Sequence, residues 1–76
     1  MQIIRESREN VEGLGQRIRS ARLASCRPVR ALAKDIGISH SFWLNCEKER
    51  KSIRLETLRK MEQVLGVVLY EDQDDG

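Results

Sequence analysis

An all-α fold of four to five short helices is what this sequence predicts, on three observations. Apolar residues recur at helical spacing in three windows: Leu14, Ile18 and Ala21; Val29, Leu32, Ala33 and Ile36; and Leu58, Met61 and Leu65. Glycine follows the second and third windows, at Gly37 and Gly66, where a residue without a Cβ ends a helix in the left-handed conformation without a clash. The chain has 76 residues, enough for one domain with one small core and too few to suit an enzyme with a buried cleft. A domain of this size commonly gains stability from a partner, a metal or disulfides.

Taken in order, residues 1–10 read as an N-terminal extension. Gln2-Ile3-Ile4 is either a short strand or a fraying end. Charges at Arg5, Glu6, Arg8 and Glu9 and the lack of an apolar run argue against a signal peptide. Asn10 can cap a helix with Glu12 in its first turn, but Gly13 and Gly15 weaken that turn and move the firm start to Leu14. Leu23 falls opposite the inner stripe of this helix, so another element is expected to cover it. Pro28 is tolerated at the start of the next helix, because the N–H it lacks would have no helical partner. After Gly37, Ile38 turns the chain back onto the core and Ser39 is a good N-cap. From His40, steps of 100° put Phe42, Trp43 and Cys46 on one side and His40, Ser41, Leu44, Asn45 and Lys48 on the other. Two short amphipathic helices joined by a tight glycine turn make a helix-turn-helix. The outward face of its second helix is rich in hydrogen-bonding groups and poor in carboxylates, as a base-reading face should be. Leu55 to Leu65 forms the last helix, supported by the Glu56–Lys60 pair. Residues 11–66 thus form the domain. Val67-Val68-Leu69-Tyr70 is a short apolar run, strand or helical turn, and the acidic tail follows it.

The net charge of +2 conceals a strong asymmetry. Glu71, Asp72, Asp74 and Asp75 carry −4, whereas Leu14–Arg54 holds ten basic residues against Asp35, Glu47 and Glu49, leaving +7 across the helix-turn-helix. Basic charge concentrated there is the electrostatic footprint of a nucleic-acid binder. No segment approaches the ~20 apolar residues of a membrane span, and a soluble, cytoplasmic protein is expected. Cys26, Cys46 and His40 cannot supply four zinc ligands, and no Ser/Cys–His–Asp arrangement stands at suggestive spacing. Neither metal, cofactor nor enzymatic activity is expected. A Cys26–Cys46 disulfide is conceivable, but Cys46 should point into the core and the compartment should be reducing, so plain thiols are expected.

The register also resembles the Cro/phage-repressor, or XRE-like, group of helix-turn-helix regulators. The resemblance rests on Leu14, Arg17-Ile18-Arg19 and Arg22; on Leu32-Ala33 and Gly37-Ile38-Ser39; on Glu47; and on Leu55-Glu56-Thr57-Leu58, Lys60-Met61 and Leu65-Gly66-Val67. These spacings agree without gaps from Leu14 to Val67. The resemblance implies a lambda-repressor-like fold and a partly buried ion pair between Arg22 and Glu47. It also implies that His40, Ser41 and Asn45 read base edges, with Ser39 near a phosphate and Trp43 facing inward. Leu44, a leucine on a polar face, suits a thymine methyl. Three departures stand out. Pro28 and Val29 replace the family's phosphate-clamping side chains, leaving that work to Arg27, Arg30 and the helix's backbone N–H groups. Glu49 replaces a turn glycine, so the second helix is expected either to run on or to turn differently. Ile53-Arg54 replaces Pro-Ser, making Ser52 the expected cap of the last helix. Lys48, Arg50 and Lys51 in this loop suit phosphate.

Two functional classes follow. One is a sequence-specific double-stranded DNA-binding transcriptional regulator, expected to be a repressor. The other is a protein-interaction module, such as a toxin-neutralising antitoxin or an antiactivator. For the regulator, a homodimer on a palindromic operator is expected, because one recognition helix reads too few bases. Val67, Val68, Leu69 and Tyr70 are the expected dimer contact, as a strand paired with its two-fold mate or as a helical turn covering the partner.

Overall fold

The structure is a computed structural model and describes residues 1–4, 6 and 8–71. Its elements follow as β1 (Gln2–Ile4), β2 (Arg8–Asn10), α1 (Leu14–Ser25), α2 (Val29–Ile36), α3 (His40–Glu47), β3 (Ile53–Arg54) and α4 (Leu55–Leu65). Local chemistry sets the helix-turn-helix boundaries. Gly37 takes φ 77° at the end of α2, and the Ile38 N–H then reaches the Ala33 carbonyl at 3.0 Å. Two residues later the Ser39 hydroxyl accepts the Phe42 N–H at 3.1 Å and starts α3.

The prediction of an all-α fold needs correction, because three short strands form a sheet of order β2-β1-β3. β1 pairs antiparallel with β2, with Ile3 opposite Glu9, and parallel with β3, with Ile3 beside Ile53. Gln2–Ile4 and Arg8–Asn10, within the stretch expected to form an N-terminal extension, are paired in this sheet. Ile3 is fully buried and Met1 nearly so, and Asn10 pairs with Gln2 rather than capping a helix. Ser52 does not cap α4; the chain enters that helix from β3, with Arg54 at the cap position and no side-chain cap bond.

Four helices close over one core. Leu14 and Ile18 of α1, Leu32 of α2, Trp43 and Cys46 of α3, and Leu58 and Met61 of α4 are buried against Ile3 and Ile53 of the sheet. α1 meets α3 at Gly15, where a Cβ would lie 2.5 Å from the Glu47 carbonyl oxygen and 2.8 Å from that of Cys46. Only a hydrogen fits between these backbones. Leu23, expected to be covered, is 57% exposed.

Val67–Tyr70 is neither strand nor helix in the described chain. Leu69 and Tyr70 fold back onto their own core, while Val67 and Val68 stay exposed. The Glu62 carboxylate accepts the N–H groups of Leu69 at 2.7 Å and Tyr70 at 3.0 Å. The Leu69 carbonyl accepts from Arg17 at 3.3 Å and the Tyr70 carbonyl from Arg59 at 2.7 Å. The Tyr70 hydroxyl donates to Glu9. The backbone N–H and carbonyl groups of Leu69 and Tyr70 are thus bound by side chains of the same chain. Asp72, Asp74 and Asp75 of the acidic tail lie outside the described residues.

Candidate nucleic-acid interface

The inner side of α3 is fixed by packing and by one carboxylate. Trp43 and Cys46 are buried. Glu47 Oε2 accepts Arg22 Nε at 2.6 Å and Trp43 Nε1 at 2.8 Å, while Oε1 accepts Arg22 Nη2 at 2.9 Å. The Glu47 side chain is only 5% exposed, so these bonds answer its desolvation. Hydrogen bonding to Glu47 raises the Arg22 pKa against the opposing pull of burial, and the carboxylate's charge adds to the rise. Burial pushes the Cys46 thiol up to about 11, with the Glu47 charge adding to it. Cys46 is therefore an inert core thiol, and Cys26 is a free, exposed one.

The opposite side of α3 faces outward. His40 and Ser41 are exposed, and Leu44 and Asn45 are half-buried one turn on. Past the helix end, Lys48 closes the last turn through its N–H to the Leu44 carbonyl at 3.1 Å. Glu49 then takes φ 58°. The helix thus stops rather than running on, and glutamate occupies the left-handed position at a cost of about 1 kcal/mol relative to glycine. Its carboxylate turns to the Met1 ammonium at 2.6 Å. Lys48, Arg50 and Lys51 are exposed in this loop. Both carboxylates at the end of α3 are consequently paired with cations, and the exposed cations of the loop set the sign of the surface.

Ser39, the N-cap of α3, and Arg30, in the first turn of α2, are exposed. α2 begins after Pro28 without a side-chain cap, so the N–H groups of its first turn are not taken by side chains. Arg27 differs from the expectation of a free phosphate ligand, for its Nη2 lies 2.5 Å from Asp35 Oδ2. Both side chains are a little under half exposed, and such a pair is worth ~0–1 kcal/mol, little enough for a phosphate to displace. Sequence reasoning missed two features of the site. The Trp43 bond to Glu47 was legible in principle from their i,i+4 spacing. The Glu49 pairing was not, since it depends on how the N-terminal strand lies.

Among the described residues, no group of three His, Cys, Asp or Glu side chains is placed to hold a metal ion, and no helix is long and apolar enough to cross a membrane. No family model matches the chain, nor does any curated protein or solved structure.

Proposed function

We propose that this chain is a sequence-specific double-stranded DNA-binding transcriptional regulator, a repressor of the XRE-like kind with a lambda-repressor-like domain, and that α3 enters the major groove. One observation carries the reading. The second helix of a helix-turn-helix presents His40, Ser41, Leu44 and Asn45 outward, while the carboxylates that would repel phosphate, Glu47 and Glu49, are paired with cations. Asn45 suits the paired donor and acceptor of adenine, His40 and Ser41 are less selective, and Leu44 suits a thymine methyl. Arg27, Arg30, Ser39, Lys48, Arg50 and Lys51 hold the flanking phosphates and set the register. Two copies read the halves of a palindrome about 34 Å apart, with the exposed Val67 and Val68 as the remaining apolar candidates for their contact.

A gel-shift titration with DNA from upstream of the gene tests this. Asn45→Ala or Ser41→Ala should cost roughly 1–3 kcal/mol on the best site and much less on random DNA. Lys48→Ala or Arg50→Ala should weaken both alike. Equal losses on specific and random DNA for Asn45→Ala would remove the base-reading role. Absence of any duplex binding, with capture of a protein encoded beside the gene, would establish the interaction module instead.

A further inference from the structure

The helix-turn-helix leaves the solvent face of the sheet without a task. Side chains alternate along a strand, and directly paired residues share a face. Ile3, Ile53 and Glu9 therefore point one way; the two isoleucines are fully buried and Glu9 meets the Tyr70 hydroxyl. The other face carries Ile4 between two arginines, Arg8 opposite it in β2 and Arg54 beside it in β3. Both arginines are exposed, and among the described residues neither makes an ion pair.

This face is continuous with the site already described. A groove of about 480 Å³ runs from Ile4, Ser52 and Arg54 to Ser39 and Phe42 in the first turn of α3. A second, of about 270 Å³, joins Gln2 and Asn10 to Arg50 and Lys51. Of the nearby carboxylates, Glu49 is held by the Met1 ammonium, and Glu56, in the first turn of α4, lines a cavity with Ile4, Arg54 and Arg59 without an ion pair to Arg54.

We propose that the solvent face of this sheet is a second DNA-contact surface, on which Arg8 and Arg54 bind backbone phosphates flanking the half-site that α3 reads. The proposal rests on the DNA-binding reading above. Its partner follows from charge: two unpaired guanidinium groups, each able to grip a phosphate through two N–H bonds, adjoin a basic loop and the first turn of the recognition helix. Contacts of this kind widen the footprint and fix the angle of α3 without reading sequence.

The test uses a random-sequence duplex of about thirty base pairs, since phosphate contacts are independent of sequence, and measures affinity by fluorescence anisotropy between about 50 and 200 mM salt. Arg8→Gln and Arg54→Gln should each reduce the slope of log K against log salt by ~0.9, making the double variant about tenfold less sensitive to that salt step. Arg8→Lys and Arg54→Lys should retain the slope, and melting temperatures of all variants identify any that do not fold. Arg8→Gln alone, in an exposed strand position, keeps the test decisive if Arg54→Gln disturbs the start of α4. Folded glutamine variants with the parent slope would overturn this proposal and leave the role of α3 standing. A parent protein without salt-dependent duplex binding would overturn both.

Discussion

At the scale of single residues, Glu47 ties α3 to α1 through two hydrogen bonds from Arg22 and accepts a third from Trp43 of its own helix. Removing Arg22 leaves a nearly buried carboxylate with only Trp43, so Arg22→Ala should cost about 1.5–3 kcal/mol in chemical denaturation. A double-mutant cycle with Glu47→Gln should give a coupling above the ~1 kcal/mol reached by exposed pairs; additive losses would show that the pair is energetically exposed. Glu62 works similarly at the chain's end. Burial alone would raise its pKa, but the Arg59 guanidinium and the N–H groups of Tyr70 and Leu69 outweigh that and hold it below the usual carboxylate range. A depressed folded-state pKa means stability fully present above the ordinary glutamate value and lost as pH falls through the lower one. Thermal melts should accordingly show a Glu62→Gln penalty at pH 7 that shrinks below about pH 4.

At the scale of elements, the helices were legible because their signals are local. Leu14, Val29–Ile36, Gly37, Ser39 and Leu55–Leu65 announce starts, faces and stops within a few residues, and the structure places the four helices there. The rule of 100° per residue likewise sufficed to put His40, Ser41, Leu44 and Asn45 on one side of α3. Of the strands, β1 was legible only as one of two alternatives, and β2 and β3 were not legible. β3 is two residues long, too short for any period, and its partner Ile3 lies at the other end of the domain. Gly15 shows the same limit. Sequence alone reads it as a weakness in the first turn of α1, whereas the structure needs it for the approach to Glu47 and Cys46. Gly15→Ala should therefore separate α1 from α3 and cost about 1–3 kcal/mol by denaturant melt, as overpacking does, rather than stabilise the helix as its propensity would suggest.

At the scale of the whole molecule, the C-terminal run divides its labour. Leu69 and Tyr70 are buried on the chain's own core, whereas Val67 and Val68 are exposed. Tyr70→Ala should lower the melting temperature of the monomer itself. Val68→Asp should leave that temperature nearly unchanged and, on the homodimer proposed above, shift sedimentation at tens of micromolar toward the monomer. A parent protein already monomeric there would dismiss the dimer; a dimer indifferent to Val68→Asp would place its contact elsewhere.

The parallel pairing of Ile3 with Ile53 also has a consequence in time. A contact spanning most of the domain carries a large loop-closure cost, which the chain recovers only after intervening segments have condensed. The helices, made from near-neighbour contacts, are expected to assemble before the β1–β3 pairing, whereas β1 and β2 meet as a local pair. Truncating Ile3 should for that reason act on the exit side of the folding barrier, hastening unfolding and leaving the folding rate nearly untouched. The β1–β3 pairing is thus expected to act as a latch that closes late and slows unfolding.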